Sequence, residues 1–212
     1  MADYQLYCFA ESGNAYKVAL MLELCRLRWK PIWVDFFNGE TRTADYRRTV
    51  NEMGEAPVLA HDGTRLSQSG VILDYLAEVT RKFGAKSEAE RREVWRWILF
   101  DNHKLTSSVA SLRYLIRFAK SGETPVTAYL RGRAATALGI LDTHLQQNAF
   151  VLGKRPTIAD LSLCGYLFYG EELALPLDPY TKVLNWLDRI RSLPDWKGPY
   201  ELMPGAPSST AP

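Results

Sequence analysis

The chain has 212 residues, 47% hydrophobic and 24% charged, the composition of one compact unit or two small subdomains and not of a disordered or collagen-like chain. Lys and Arg number 26 against 24 Asp and Glu, a net charge of +2 that implies no nucleic-acid surface. No apolar stretch reaches the roughly 18 residues a membrane helix needs, and Met1-Ala2-Asp3-Tyr4 lacks the basic and apolar segments of a secretory signal.

The three cysteines, Cys8, Cys25 and Cys164, are far apart, form no C-x-x-C and show no ligand spacing with His61, His103 or His144. No disulfide scaffold and no metal site is expected, and a reducing cytoplasm is the natural compartment. Residues 1–80 carry 8 basic and 11 acidic side chains, while the rest of the chain is net basic, a hint of two units with different surfaces.

In chain order, residues 4–9 are strand formers. A small polar turn, Glu11-Ser12-Gly13-Asn14, opens a helix whose apolar face includes Val18, Met21, Leu22 and Cys25. Trp29 to Phe37 returns to strand character, so a parallel pair with a crossover helix is expected. A polar region follows, with one short helix around residues 45–51. Asp62-Gly63 between apolar runs is a hairpin signal. The hairpin runs into an apolar helix that starts at Ser69. The order β-α-β, then β-β-α, predicts a thioredoxin-like mixed sheet over residues 1–80. Residues 81–86 read as a linker and residues 87–212 as an all-helical domain. Within it, 87–120 holds one long helix or two, a break at 121–125 precedes a helix to about 147, and Thr157-Ile158-Ala159-Asp160 resembles a capping box. Pro179 to Leu193 suggests a further helix, and a frayed tail follows from Pro204. The fold class is thus an N-terminal α+β domain followed by an α domain.

Two helix N-termini carry the candidate chemistry. Ser12-Gly13-Asn14 places a hydroxyl at a positive helix end, where a bound thiol would lose its proton more easily. Gln68-Ser69-Gly70 gathers free N–H groups and a hydroxyl, a carboxylate site. Each reads equally as a plain N-cap. In a parallel α/β arrangement both helix starts fall on one sheet edge, where a ligand with a thiol and an amino-acid end would bridge them.

The succession Ser12-Gly13-Asn14, Lys17-Val18, Glu55-Ala56-Pro57-Val58-Leu59, Asp62-Gly63, Gln68-Ser69-Gly70-Val71-Ile72-Leu73 and Thr157-Ile158-Ala159-Asp160 resembles the cytosolic glutathione S-transferase family over nearly the whole chain. The first loop is most similar to its serine-type, phi- or theta-like classes. The resemblance implies a transferase that joins the glutathione thiolate to an electrophilic, mostly apolar small molecule, without metal, nucleic acid or membrane, as a cytoplasmic homodimer. It assigns Ser12 to thiol activation with Asn14 in support, and Tyr7 as a rival. It assigns glutathione binding to Ala56 through its backbone, Pro57, Gln68 and Ser69, and to Arg42 at the glycine carboxylate. Glu55 joins this glutathione-binding set although it departs from the neutral or basic residue common there, and Gln68 in place of the more usual Glu removes an acid beside the ligand's ammonium. His103, Lys104, Arg113, Tyr114 and Tyr166 are the acceptor-site candidates, His103 and Lys104 lying in a polar cluster with Asp101 and Asn102. Two alternatives accompany this reading: a glutathione-dependent disulfide or glutathionyl oxidoreductase, and a non-catalytic glutathione-binding interaction protein.

Overall fold

The computed structural model describes residues 3–206. Compact units comprise residues up to 80 together with those from 194 onward, and residues 81–193.

The first unit is built on a four-stranded sheet in the order β2-β1-β3-β4. The strands are β1 (Tyr4–Cys8), β2 (Trp29–Trp33), β3 (Val58–His61) and β4 (Thr64–Ser67). β1 runs parallel to β2 and antiparallel to β3, which is antiparallel to β4. The crossover between β1 and β2 is α1 (Gly13–Leu24), nearly every residue of which is buried. A short helix α2 (Ala44–Thr49) precedes β3, and α3 (Ser69–Thr80) follows β4 and packs on α1. Asp62 and Gly63 have φ of 46° and 76°, the pair of positive values that a two-residue hairpin turn of the type I′ class requires. β2 is shorter than its sequence suggests. At Asp35 the chain turns, and the carboxylate accepts from the Asn38 side-chain amide at 3.0 Å. Pro31 is accommodated because β2 is an edge strand.

The second unit is helical. Residues 88–118 form one long helical run, α4 (Glu88–Phe100) and α5 (Ser107–Arg113), interrupted by π-helical turns at Asp101–Thr106 and Tyr114–Phe118. A 3.6-residue apolar period cannot reveal such wide turns. α6 (Pro125–His144), α7 (Ile158–Leu163) and α8 (Thr181–Arg191) complete it. Asp101 is fully buried, accepting from Thr106 Oγ1 at 2.7 Å and Ser162 Oγ at 2.6 Å.

The tail does not continue the helical domain. α9 (Pro199–Leu202) packs against α1, where Tyr16 OH donates to the Lys197 carbonyl at 2.9 Å and the Ala10 N–H to the Pro204 carbonyl at 3.0 Å. The expected fraying from Pro204 onward is not seen at Pro204 itself, which takes that bond; the part of that expectation covering residues 207–212 lies outside the described residues.

The Thr157–Asp160 capping box forms as expected. Asp160 is fully buried and accepts from the Thr157 and Val151 backbone N–H groups, each at 2.8 Å, from Thr157 Oγ1 at 3.1 Å and from Trp186 Nε1 at 2.9 Å. Burial pushes its carboxyl above the usual range and these donors pull it back. Removing the side chain leaves several buried donors unpaired. Asp160→Ala should therefore cost about 3–5 kcal/mol and lower the melting temperature by roughly 10 °C. A thermal melt unchanged within a degree or two would show that the box holds little of this unit together.

Candidate functional site

The sheet register decides what meets what. Tyr7, one residue from the end of β1, pairs with Val58, the first residue of β3, and Val58 pairs with Ser67, the last residue of β4. Three segments therefore emerge at one end of three adjacent strands. They are the loop from β1 into α1 with Ser12, the Glu55-Ala56-Pro57 segment that leads into β3, and the Gln68-Ser69 exit from β4 into α3.

Ser12 is the N-cap of α1, with extended backbone (φ −86°, ψ 105°), and its hydroxyl oxygen accepts from the Ala15 N–H at 3.1 Å. That bond uses a lone pair and leaves the hydroxyl hydrogen available, so cap and thiol donor are compatible roles. The residue is only 4% exposed. Asn14 follows in the first turn, and its Oδ1 is buried with no donor among the described residues. Such a group costs free energy until something pairs with it. The loop is closed by Ser12 N–H donating to the Phe9 carbonyl at 3.0 Å. Tyr7 lies on the half-buried face of β1, between the buried Leu6 and Cys8.

The Ala56–Pro57 peptide bond is cis. The segment is held by residues that sequence reasoning did not single out. The Glu55 carbonyl accepts from Tyr46 OH and from Asn51 Nδ2, each at 3.1 Å. Both donors are buried, and burial pushes the Tyr46 hydroxyl well above its ordinary range. Gly54 has φ +68°, and a Cβ there would lie 2.7 Å from the Thr41 carbonyl oxygen, so only glycine fits. The turn signature Asn51-Glu52-Met53-Gly54 is the one sequence cue that marks this support.

At the β4 exit, Gln68 has a left-handed backbone, φ +67°. That conformation is unfavourable for a non-glycine residue and tends to be kept at ligand sites. Ser69 is the first residue of α3, the helix start expected for it. Its side chain is buried, and among the described residues nothing takes or gives its hydroxyl a hydrogen bond. The first N–H groups of α3 have no intrahelical acceptor. Unpaired donors, a free hydroxyl and the positive helix end suit a carboxylate. Gln68 Nε2 donates to Glu55 Oε2 at 2.7 Å, linking the second and third segments. Arg42 stays exposed and folds back over Gly39, where a Cβ would meet its Nη2 at 2.8 Å.

The acceptor-site candidates do not share one setting in their own unit. His103 and Lys104 are exposed on the first π-helical turn, and the His103 carbonyl accepts from Arg133 Nη2 at 3.0 Å. Tyr114 is half exposed on the second turn, and Tyr166 is half-buried beside Tyr169. Arg113 is engaged instead: it is 2% exposed, ion-paired with Glu172, and its guanidinium stands 3.9 Å from the centre of the Tyr169 ring. Sequence spacing on one helix face could not show that this charge turns inward.

The thiols are not poised for chemistry. Cys8, Cys25 and Cys164 are all buried, and burial pushes the Cys8 thiol up to about 12.

Comparison with known proteins agrees with this geometry. Residues 11–79 match the glutathione S-transferase N-terminal domain and residues 103–194 the C-terminal domain. The chain is similar to the structure of a glutathione S-transferase from Pseudomonas fluorescens Pf-5, with 28% identity, a TM-score of 0.88, and 94% and 100% of the two chains covered. It is also similar to a glutathione transferase family member from Pseudomonas fluorescens Pf-5 with two glutathione bound, with 26% identity, a TM-score of 0.77 and coverage of 91% and 89%. Among sequence relatives, a disulfide-bond oxidoreductase of Escherichia coli (strain K12) is 25% identical, with 88% of this chain and 89% of the relative covered. Elongation factor 1-gamma-B of Xenopus laevis is 25% identical over 93% of this chain, which spans 46% of that longer protein. The matched domains, and a sheet that delivers the Ser12, Ala56-Pro57 and Gln68-Ser69 segments to one end, place this chain in the glutathione S-transferase family.

Proposed function

We propose that the protein is a glutathione transferase acting on an electrophilic, mostly apolar small molecule. One observation carries the reading: the β1-β3-β4 register brings a hydroxyl at one helix N-terminus and an unpaired hydroxyl at another to the same sheet end, with the Ala56-Pro57 segment between them. Ser69 and the first N–H groups of α3 receive the γ-glutamyl carboxylate. The Ala56 backbone pairs with the cysteinyl part, and Arg42, which would have to swing out from Gly39, is the candidate for the glycine carboxylate. Ser12, supported by Asn14, donates to the sulfur and stabilises the thiolate. The sulfur then forms a bond to the electrophilic carbon. A leaving group departs with the bonding pair, or an activated double bond accepts the electrons and later a proton. His103, Lys104, Tyr114 and Tyr166 are the candidates to meet the acceptor, Arg113 more weakly since it is already ion-paired. The family resemblance supports a cytoplasmic setting.

A second reading, exchange of glutathione with a disulfide, is favoured by the relative named a disulfide-bond oxidoreductase and by the similar structure with two glutathione bound. Ser12 in place of a cysteine and the buried, hard-to-ionise Cys8 weigh against a protein thiol taking part. A third, a binding module without turnover, has a parallel in elongation factor 1-gamma-B. Turnover of a chloronitroaromatic against a mixed disulfide separates the two enzyme readings, and retention on immobilised glutathione without either activity supports the third.

The Ser12 assignment has a pH signature. A charge-assisted hydrogen bond of roughly 1.5–3 kcal/mol lowers the bound thiol's pKa by about one to two. Ser12→Ala should cost on the order of tenfold to a hundredfold in turnover near pH 7, with much of the loss recovered at high pH. Alanine also costs about 1 kcal/mol as a lost cap, whereas glycine costs a few tenths. Ser12→Gly should therefore show the same titration change with less loss of stability. If thiolate absorbance in the glutathione complex titrates unchanged in both variants but moves in Tyr7→Phe or Asn14→Ala, the role belongs to the residue that responds.

With a pKa of about 12, only on the order of one in ten thousand Cys8 thiols is ionised at pH 8. The native protein should leave an aromatic disulfide unreduced over minutes, and the denatured protein should titrate all three thiols. Rapid reaction at Cys8 in the native state would favour the exchange reading.

A homodimer also follows from the resemblance, and the exposed apolar side chains Val71 and Val79 on α3 suit an interface. Sedimentation should show a species of twice the chain mass; a 24.1 kDa species at every concentration contradicts it.

A further inference from the structure

Within the first unit, a groove of about 520 Å³ lies between the C-terminal end of α2 and the β3–β4 pair, of which β4 is the edge of the sheet. That volume suits a small molecule. Three arginines, Arg47, Arg48 and Arg65, line the groove against one acid, Glu52. None of the residues assigned to glutathione lines it.

Two of the three guanidiniums are pinned without being neutralised. Arg65 reaches from β4 and donates through Nη1 to the Thr49 carbonyl, while Arg47 Nη1 donates to the Glu52 carbonyl at 3.2 Å. A carbonyl oxygen holds a guanidinium in place and leaves its full charge. Among the described residues neither Arg47 nor Arg65 pairs with a carboxylate, whereas Arg48 is ion-paired with Asp45. Bracing the last turn of α2 accounts for one of the five donors in each fork. The remaining donors have no acceptor among the described residues. Ser67, also in the lining, adds a hydroxyl that makes no hydrogen bond among them.

We propose that this groove is an anion site, separate from the glutathione segments, for the phosphoryl group of a small phosphorylated molecule. Arg47 and Arg65 supply the two forks and Ser67 a further donor. A carboxylate brings one charge and fills one fork. A phosphoryl group brings about two charges and three acceptor oxygens, and so engages both forks and the hydroxyl together.

Calorimetric titration of the full chain with inorganic pyrophosphate, at low salt and with glutathione present, tests this. Pyrophosphate should bind saturably, and its affinity should fall as salt is added. Arg47→Gln and Arg65→Gln should each weaken it about tenfold or more. Arg65→Lys keeps a donor for the Thr49 carbonyl and loses the fork, so it should weaken binding with the thermal melt unchanged. Glu52→Gln should tighten binding severalfold, because it removes the one acid in the lining; a purely structural pair of arginines predicts no such gain. Adenosine diphosphate and inorganic phosphate identify the source of the group. Tighter binding of the diphosphate than of pyrophosphate supports a nucleotide, and equal binding supports recognition of phosphoryl groups alone. No saturable binding at millimolar pyrophosphate overturns the proposal. So does binding that survives Arg47→Gln combined with Arg65→Gln, or binding that glutathione displaces.

Discussion

A two-residue turn at one end of the sheet determines what stands at the other. Asp62 and Gly63, both at positive φ, fix the pairing of His61 with Thr64, and the ladder then carries that register to Val58 and Ser67. Register in a hairpin follows from its turn, and a slip by one residue would send every side chain to the opposite face. Because Val58 also pairs with Tyr7 of β1, the same ladder sets Ala56-Pro57 and Gln68-Ser69 beside the loop that leads to Ser12. Each segment is irregular by itself, and the strands make them neighbours.

The two helix starts at this end solve the same backbone problem differently. Ser12 uses a lone pair to cap α1 and keeps its hydrogen. Ser69 sits inside the first turn of α3, behind a left-handed Gln68, and caps nothing. Asn14 Oδ1, buried without a donor among the described residues, and Gln68, held in a sparsely allowed conformation, both cost stability, and such features persist where a ligand is received. The Glu55–Gln68 hydrogen bond joins the start of α3 to the segment that leads into β3, so the binding end is tied across segments far apart in sequence.

Much of this was legible in the sequence because its signals are local. Asp62-Gly63 announces the hairpin, Ser12-Gly13-Asn14 the start of α1, and Thr157 with Asp160 a capping box, each within a few residues. What escaped depends on residues brought together from afar. Tyr46 and Asn51 support Glu55 through its backbone carbonyl, which leaves no trace in side-chain pattern. Arg113 looks like a surface cation on a helix, yet Glu172, 59 residues later, holds it inside. The π-helical turns in the 88–118 run keep an overall helical period and add residues without a break signal. The segment from residue 194 joins the first unit through Lys197 and Pro204 carbonyls, and a carbonyl carries no sequence signature.

If three segments at one sheet end form a single glutathione site, they should respond to the ligand together. Backbone amide shifts recorded during a glutathione titration test this most directly. Saturable changes are predicted at Ser12 to Asn14, at Ala56 and Val58, and at Ser69 and Gly70, all with one affinity. Asp62 and Gly63, at the opposite end of the same strands, should stay unmoved. Changes confined to Asp62 and Gly63, or no saturable change at millimolar glutathione, would contradict a single site built from these segments.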